Sequence, residues 1–318
     1  MTIQSSLSFS EIIGLSFLTI GLIVVTVLVI YLLKRLWQNN ITFFLWLLKL
    51  LKFLYPKENV HRFEETIKLV ARSTLNLTDK SSKFVYSGIT HKPWYEFDDY
   101  KILRFVSNTL KEGLNDIEDE CMAYFLSEHS VHSIVPKHKP SEIFGESFKD
   151  KDESWKYNLI WTQGKFTEAA LSLFPKTVNI VTKLKPFIYP LAGEVAFLVM
   201  EPGVVIPPHA DSEINLSLNC HFGIKTPEGC GIKVGGETRS WTRGEILCFD
   251  NSFTHEAWNK GQEKRVVLML DIYHPELTKI EKYLLKLALK DLNLLGIEGG
   301  YNKIQDSQYL NQLLKNFK

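Results

Sequence analysis

The chain has 318 residues, 45% of them hydrophobic, enough for one large or two modest domains with a real core. Its formal charge of +1 lacks the basic excess that a nucleic-acid partner normally demands, so no nucleic acid is expected. Cys121, Cys220, Cys230 and Cys248 form no CxxC pair, which argues against a zinc ribbon or a redox dithiol and reads as free thiols in a reducing compartment.

The first element in the chain is "IIGLSFLTIGLIVVTVLVIYLL", Ile12 to Leu33, which carries no charge. A helix of that length spans about 33 Å, the thickness of a bilayer core. A signal peptide fits poorly, because there is no basic n-region and no small-residue cleavage site. Lys34 and Arg35 stop the run, and no Lys or Arg precedes it, so the positive-inside rule puts the rest of the chain in the cytoplasm. A lumenal orientation is the competing one. "ITFFLWLLKLLKFLY", Ile41 to Tyr55, is shorter and interrupted by Lys49 and Lys52. It reads as an interfacial helix with snorkelling lysines, or as a re-entrant one. Residues 1–56 are therefore a membrane anchor, and 57–92 a linker or stalk with a helical stretch at "HRFEETIKLVARST".

From Pro93 the apolar positions Ile102, Phe105, Leu110, Leu114 and Ile117 follow a helical period. Ser130 to Ser154, rich in Pro, Lys, Ser, Asp and His, reads as a long loop. "FTEAALSLFPKTVNIVTKLK" reads as two helices broken at Pro175. After Gly193 come short runs rich in β-branched and aromatic residues: "EVAFLVM", "INLSLNCHFGIK", "CGIKVGG", "ETRSWT", "EILCFD", "HEAWN" and "KRVVLMLDIYH". Many short strands separated by Gly and Pro predict a sandwich or barrel, such as a double-stranded jelly roll. From Leu277 the pattern returns to helix, so 278–318 is a C-terminal helical extension.

"PPHADSEINLSLNCHFGI" carries the chemistry. His209 and Asp211 form an HxD pair, which on a strand places both side chains on one face. A distant histidine such as His255, in "NSFTHEAW", completes two imidazoles and one carboxylate, a set that suits non-haem Fe(II). The competing reading is a pair of ordinary surface groups. Arg265 opens the strand "RVVLMLDIYH" and could fork onto a carboxylate; otherwise it is a strand-edge charge. His129, His132 and His138 read as solvated, His274 as packing at a strand end, and Trp241 and Trp258 as core. His61 and His91 show no partner in sequence.

The motifs "KPWYEFDDY", "MEPGVVIPPHAD", "CHFGI", "PEGCGIKV", "ETRSW", "GEILCFDNSFTHEAWN" and "RVVLMLDIYHPEL" run from about Pro93 to Leu277. Over that stretch the chain resembles the aspartyl/asparaginyl β-hydroxylase family of Fe(II)/2-oxoglutarate oxygenases. The resemblance implies a mainly β fold with flanking helices, a jelly-roll catalytic domain over 93–277. It implies Fe(II) held by His209 and His255, with Asp211 as third ligand where some animal members have glycine. It implies 2-oxoglutarate and O2 as co-substrates, with Arg265 on the distal carboxylate and His221 beside the other one. Asn219 stands where members often have arginine, which turns a charged co-substrate contact into a weaker, neutral one.

The resulting expectation is a single-pass membrane dioxygenase that hydroxylates a protein Asp or Asn side chain or a lipid acyl chain. A catalytically inactive jelly roll that binds a small acid or a protein and acts as a scaffold at the membrane is the rival, and a cupin-like isomerase or metal-binding module is a third reading that leaves Arg265 without use.

Overall fold

The computed structural model describes residues 41–54, 60–66, 86–125, 154–162, 164–189, 193–211 and 215–286. The expected span at 12–33, the loop with His129, His132 and His138, and the helix beyond residue 286 lie outside them. Among the described residues no helix is long and apolar enough to cross a membrane.

Helix α1 covers Ile41–Leu54, ending before Pro56 as its sequence suggests. Its last residues Phe53 and Leu54 are exposed, and Lys52 pairs with Glu64 in a helical stretch over 60–66. Arg62 in that stretch donates to both carboxylate oxygens of Glu281, which also accepts from the Tyr86 hydroxyl at 2.8 Å. Glu281 is fully buried, so this bidentate pair ties the segment before the β domain to the helix after it.

The helical period seen from Pro93 resolves into α2, Lys101–Glu112, and α3, Leu114–Phe125, with Gly113 between them. A Cβ at Gly113 would fall 2.4 Å from Ile180 Cδ1, so the junction packs closely against α5, and a larger residue would have to displace the Ile180 side chain. Leu103, Val106, Leu110 and Ile117 carry the packing, whereas Phe105 stays 46% exposed. Helices α4, Glu168–Leu173, and α5, Pro175–Leu184, meet at Phe174 as the proline predicts. The Thr167 hydroxyl caps α4 by accepting from the Ala170 amide at 3.1 Å.

Two antiparallel sheets follow. The larger has the order β1 (Trp94–Tyr95), β9 (Ile246–Phe249), β6 (Ser217–Lys225), β11 (Arg265–Tyr273), β4 (Val195–Met200), β2 (Trp155–Thr162), β3 (Lys165–Phe166). The smaller has the order β5 (Val205–His209), β10 (His255–Asn259), β7 (Cys230–Val234), β8 (Glu237–Arg239). This is the expected mainly β architecture with flanking helices. Strands β2 and β3 extend it upstream of Gly193. "WKYNLIWT" lies directly behind the polar stretch that ends at Ser154 and belongs to none of the runs read from the sequence.

Alternation along each central strand divides the core in two. On β11, Val266, Leu268, Leu270 and Ile272 join Leu218, Cys220 and Phe222 of β6 against the helices. Val267 and Met269 face the other way, into a second cluster with Ile206, Ile232, Trp241 and Phe249 between the sheets. Arg265 and Asp271 share this inward register, as do Asn219 and His221 on β6. Both strands are covered on both faces, so they read as continuous apolar runs around a few inward polar residues.

All four cysteines are buried and free. His274 ends β11 fully buried. Its Nε2 lies 3.1 Å from the Tyr95 hydroxyl, which itself donates to the Thr90 carbonyl at 2.7 Å, while its Nδ1 accepts from the Glu276 amide at 3.3 Å. That pattern is satisfied by the neutral ring with its proton on Nε2. Burial pushes the imidazole down to about 4 from its ordinary 6.5.

Gly223→Ala would place a Cβ 2.3 Å from the Thr242 carbonyl oxygen, a backbone atom that cannot swing away. The expected cost is about 1–3 kcal/mol of stability, visible as a lower thermal midpoint. His274 gives a pH signature. Between pH 6.5 and about 4 the unfolded chain takes a proton that the folded chain refuses, so this contribution is complete above 6.5 and is lost as pH falls. At pH 5 the loss is about 2 kcal/mol. Urea titrations at pH 7 and pH 5 should show this part of the difference vanish in His274→Asn.

Candidate metal centre

Among the described residues β5 is an edge strand whose sole ladder partner is β10, which is why Pro207 and Pro208 are tolerated in it. Antiparallel pairing sets His209 directly opposite His255, with ring centroids 4.2 Å apart. Asp211 reaches them differently from the expectation. It lies in a bend past the end of β5, so the same-face argument for an HxD pair on one strand does not apply. Its amide donates to the Asn251 carbonyl at 3.0 Å, and this contact with the β9–β10 turn folds the carboxylate back over both rings.

The Asp211 oxygens lie 3.5 Å from His209 Nε2 and 3.3 Å from His255 Nε2. One ligand atom from each of the three residues lies within 4.8 Å of the others. Each histidine is oriented through its other nitrogen: Nδ1 of His209 donates to the Pro207 carbonyl at 2.7 Å, and Nδ1 of His255 to the Phe253 carbonyl at 3.0 Å. Both bonds run from residue i to i−2, and both leave the Nε2 lone pair pointing at the carboxylate. Two lone pairs and an anion converging on one point repel unless a cation joins them. Burial and the neighbouring His255 lower the His209 pKa, favouring the neutral ligand form. Burial would raise the Asp211 carboxyl, but its contacts with His255 and His209, which favour the anion when a proton takes the place of a metal on the rings, outweigh it and hold it below its ordinary value. Two imidazole nitrogens and one carboxylate suit a divalent first-row metal, and Fe(II) with open positions in particular.

Arg265 is the second feature. It is 1% exposed, and its Nε and Nη1 have no hydrogen-bond partner among the described residues. Nη2 reaches only the Met200 sulfur at 3.7 Å, and the guanidinium stacks 4.5 Å over the Trp241 ring. Burial lowers its pKa to about 10, so it stays charged at neutral pH. The Trp241 indole in turn donates to His221 Nδ1 at 3.3 Å. Burial, and then the charge of Arg265, push His221 well below the ordinary imidazole value. His221 also meets the edge of Phe249, whose ring lies 5.2 Å from His255.

The predicted residues thus fall into three places. His209, Asp211 and His255 come together. Arg265 and His221 are joined through Trp241, which sequence reasoning had assigned to packing alone. Asn219 joins neither group: its side-chain amide donates to Asp271 at 3.0 Å. His91, without a visible partner in sequence, packs on Phe253 with Nε2 3.3 Å from the Ser252 hydroxyl.

The structure is thus a mainly antiparallel β fold with flanking helices that carries a His-x-Asp…His set able to hold a metal ion and a buried arginine with two unpaired nitrogens. The chain belongs to the aspartyl/asparaginyl beta-hydroxylase family, whose pattern it matches over residues 111–275. It is 29% identical over 198 residues to the human protein named aspartyl/asparaginyl beta-hydroxylase, covering 62% of this chain and 24% of that one. The mouse protein of that name is 35% identical over 134 residues, covering 42% of this chain and 18% of that one. Mouse aspartate beta-hydroxylase domain-containing protein 2 is 38% identical over 112 residues, covering 34% of this chain and 32% of that one. The matches therefore span less than a third of each of these relatives. Among solved structures, the cupin domain of Schizosaccharomyces pombe Cnp3 overlaps 38% of this chain and 66% of that one, at 9% identity and a TM-score of 0.26.

His255→Ala should weaken Fe(II) binding by more than the ~10–100-fold typical of losing an outer-shell partner. Anaerobic calorimetric titration measures the loss, and an unchanged circular-dichroism spectrum shows that the barrel persists.

Proposed function

We propose that the protein is a membrane-tethered Fe(II)/2-oxoglutarate-dependent hydroxylase. The observation that carries this reading is Arg265, a fully buried guanidinium with two nitrogens unpaired, in the same inter-sheet space as the His209, Asp211, His255 set. Burying a charge without an anion is costly, so the site is built to receive one. A dicarboxylic keto acid bound to the metal at one end supplies that anion at the other. A cupin-like isomerase or a bare metal-binding module has no need of it.

Bound iron and its co-substrate would supply the oxidising power, in a reaction that balances as C–H plus O2 plus 2-oxoglutarate giving C–OH, succinate and CO2. The chain's own residues have narrower tasks. The Pro207 and Phe253 carbonyls hold the two imidazoles in the ligating tautomer. Trp241 supports the Arg265 guanidinium from below and holds His221 by its Nδ1. Neutral His221 can then offer its Nε2 hydrogen to a carboxylate without adding a charge. Ile206, Ile232, Met269 and Phe249 keep water out of the space between the sheets.

The charge-free run at 12–33, followed by the apolar helix α1 with its exposed Phe53 and Leu54, supports a tether that holds the domain at a bilayer. The positive-inside rule favours the cytoplasmic face. Either a protein Asp or Asn side chain or a lipid acyl chain is within reach of such a site.

Anaerobic addition of Fe(II) and then 2-oxoglutarate should produce the visible charge-transfer band of a chelated keto acid. Arg265→Ala removes a buried charge-assisted contact worth about 2–5 kcal/mol, so the co-substrate dissociation constant should rise at least ~30-fold. Iron binding without a band in the unsubstituted protein would favour the scaffold.

A further inference from the structure

Helix α6, Lys279–Lys286, follows the last strand. Thr278 and Glu281 open it with a reciprocal capping box. The Thr278 hydroxyl accepts from the Glu281 amide at 3.2 Å, and the Glu281 carboxylate accepts from the Thr278 amide at 2.8 Å. The same carboxylate grips Arg62, whose guanidinium also donates to the Glu276 carbonyl at 2.6 Å and to the Gly88 carbonyl at 2.8 Å. Two residues beyond Arg62, Glu64 pairs with Lys52 of α1. One chain of contacts therefore ties α1, the 60–66 stretch and the start of α6 together.

The two faces of α6 are of different kinds. Glu281, Leu284 and Leu285 are buried, at spacings that make one side of a helix. Lys279, Tyr283 and Lys286 are exposed, four and three residues apart, on the opposite side. Lys282 is partly buried, its ammonium 5.1 Å from the centre of the Tyr273 ring. A helix face that is merely solvated commonly carries both signs. Here the one acid of the helix is turned inward and bonded to Arg62, so the outer stripe is cationic throughout. Neither Lys279 nor Lys286 pairs with an acid among the described residues.

Helix α1 repeats the pattern. Lys49 and Phe53, four residues apart, are exposed together, and Leu54 follows. Phe53 is 81% exposed and Tyr283 55%, far more than aromatic rings facing water usually are. A ring beside a lysine suits the headgroup layer of a bilayer: the ring and the lysine stem lie among the lipids while the ammonium meets the anionic groups.

We infer that the outer face of α6 docks on an anionic lipid surface, with Lys279 and Lys286 on the headgroups and Tyr283 between them, as a second contact beside α1 that fixes which side of the β domain faces the membrane. The inference deepens the tether reading by naming the lipid class and the surface that meets it. It uses none of residues 1–40 and is independent of the metal centre. An acidic protein would answer the charge of α6, but the tie to the apolar end of α1 favours a bilayer. Each lysine near an anionic leaflet contributes about 5-fold in binding, and the attraction fades within a Debye length.

The test uses the full chain with Tyr283→Cys, labelled with an environment-sensitive nitrobenzoxadiazole fluorophore. The four native cysteines are buried, so the label goes to the new one. The protein is placed in nanodiscs of phosphatidylcholine, with or without phosphatidylglycerol. Emission should shift to the blue only where phosphatidylglycerol is present. The shift should reverse as salt rises from about 0.1 M to about 1 M and the Debye length falls from about 10 Å to about 3 Å. Adding Lys279→Gln and Lys286→Gln should weaken docking about 30-fold and abolish the shift, with the thermal midpoint unchanged. Equal emission in the two kinds of disc overturns the proposal, as does a shift that survives high salt. An equal shift on adding polyglutamate to the phosphatidylcholine discs also overturns it and makes an acidic protein the partner. The tether is read separately: if the chain washes off phosphatidylcholine vesicles at high salt, that reading fails. Cosedimentation with phosphatidylglycerol vesicles at low salt, with and without the two lysine substitutions, then still decides the docking of α6.

Discussion

The pairing of β5 with β10 is the contact on which the site depends. It joins the end of an edge strand to the start of an inner one and sets His209 across from His255. A slip of one residue would turn one imidazole to the other face and abolish the pair. The carbonyls of Pro207 and Phe253 then hold each ring by its Nδ1. Orientation thus comes from backbone atoms two residues away, inside the same strand ends that set the register. Asp211 is added by a bend and by a backbone bond to Asn251, so the third ligand depends on the β9–β10 turn rather than on its own strand.

Around this pairing the barrel interior is electrostatically graded. Arg265 at one end of β11 is a buried cation resting on an aromatic face. Asp271 toward the other end is a buried carboxyl, pushed up to about 8 by burial and beside Glu194. Between them stands His221, neutral under burial and the nearby guanidinium. Such a gradient is expensive in a low-dielectric core and stabilises nothing by itself.

The fold was legible where pattern and punctuation agreed. Seven β-rich runs after Gly193 correspond to strands, and Pro175 divides two helices as expected. Strand β2 was missed because its apolar residues follow a long polar stretch, although Trp155, Ile160 and Trp161 are buried. The HxD spacing shows the residue types but not their strand: β5 ends at His209, and Asp211 lies beyond it in a bend. Prolines usually argue against a strand, and only the position of β5 at a sheet edge makes Pro207 and Pro208 acceptable.

By itself the sequence determined the residue types of a metal site, the charge-free N-terminal run, and a β-rich domain ordered like its family. These are local properties: spacing, hydropathy and turn residues act over a few positions along the chain. Tertiary structure alone decided that Trp241 links Arg265 to His221, and that Asn219 belongs with Asp271 and not with the arginine. It also decided that Tyr157 packs against the inter-sheet cluster and donates to Glu194. Those outcomes depend on register between strands distant in sequence and on burial, which changes what a charge or an amide costs and therefore which partner it takes.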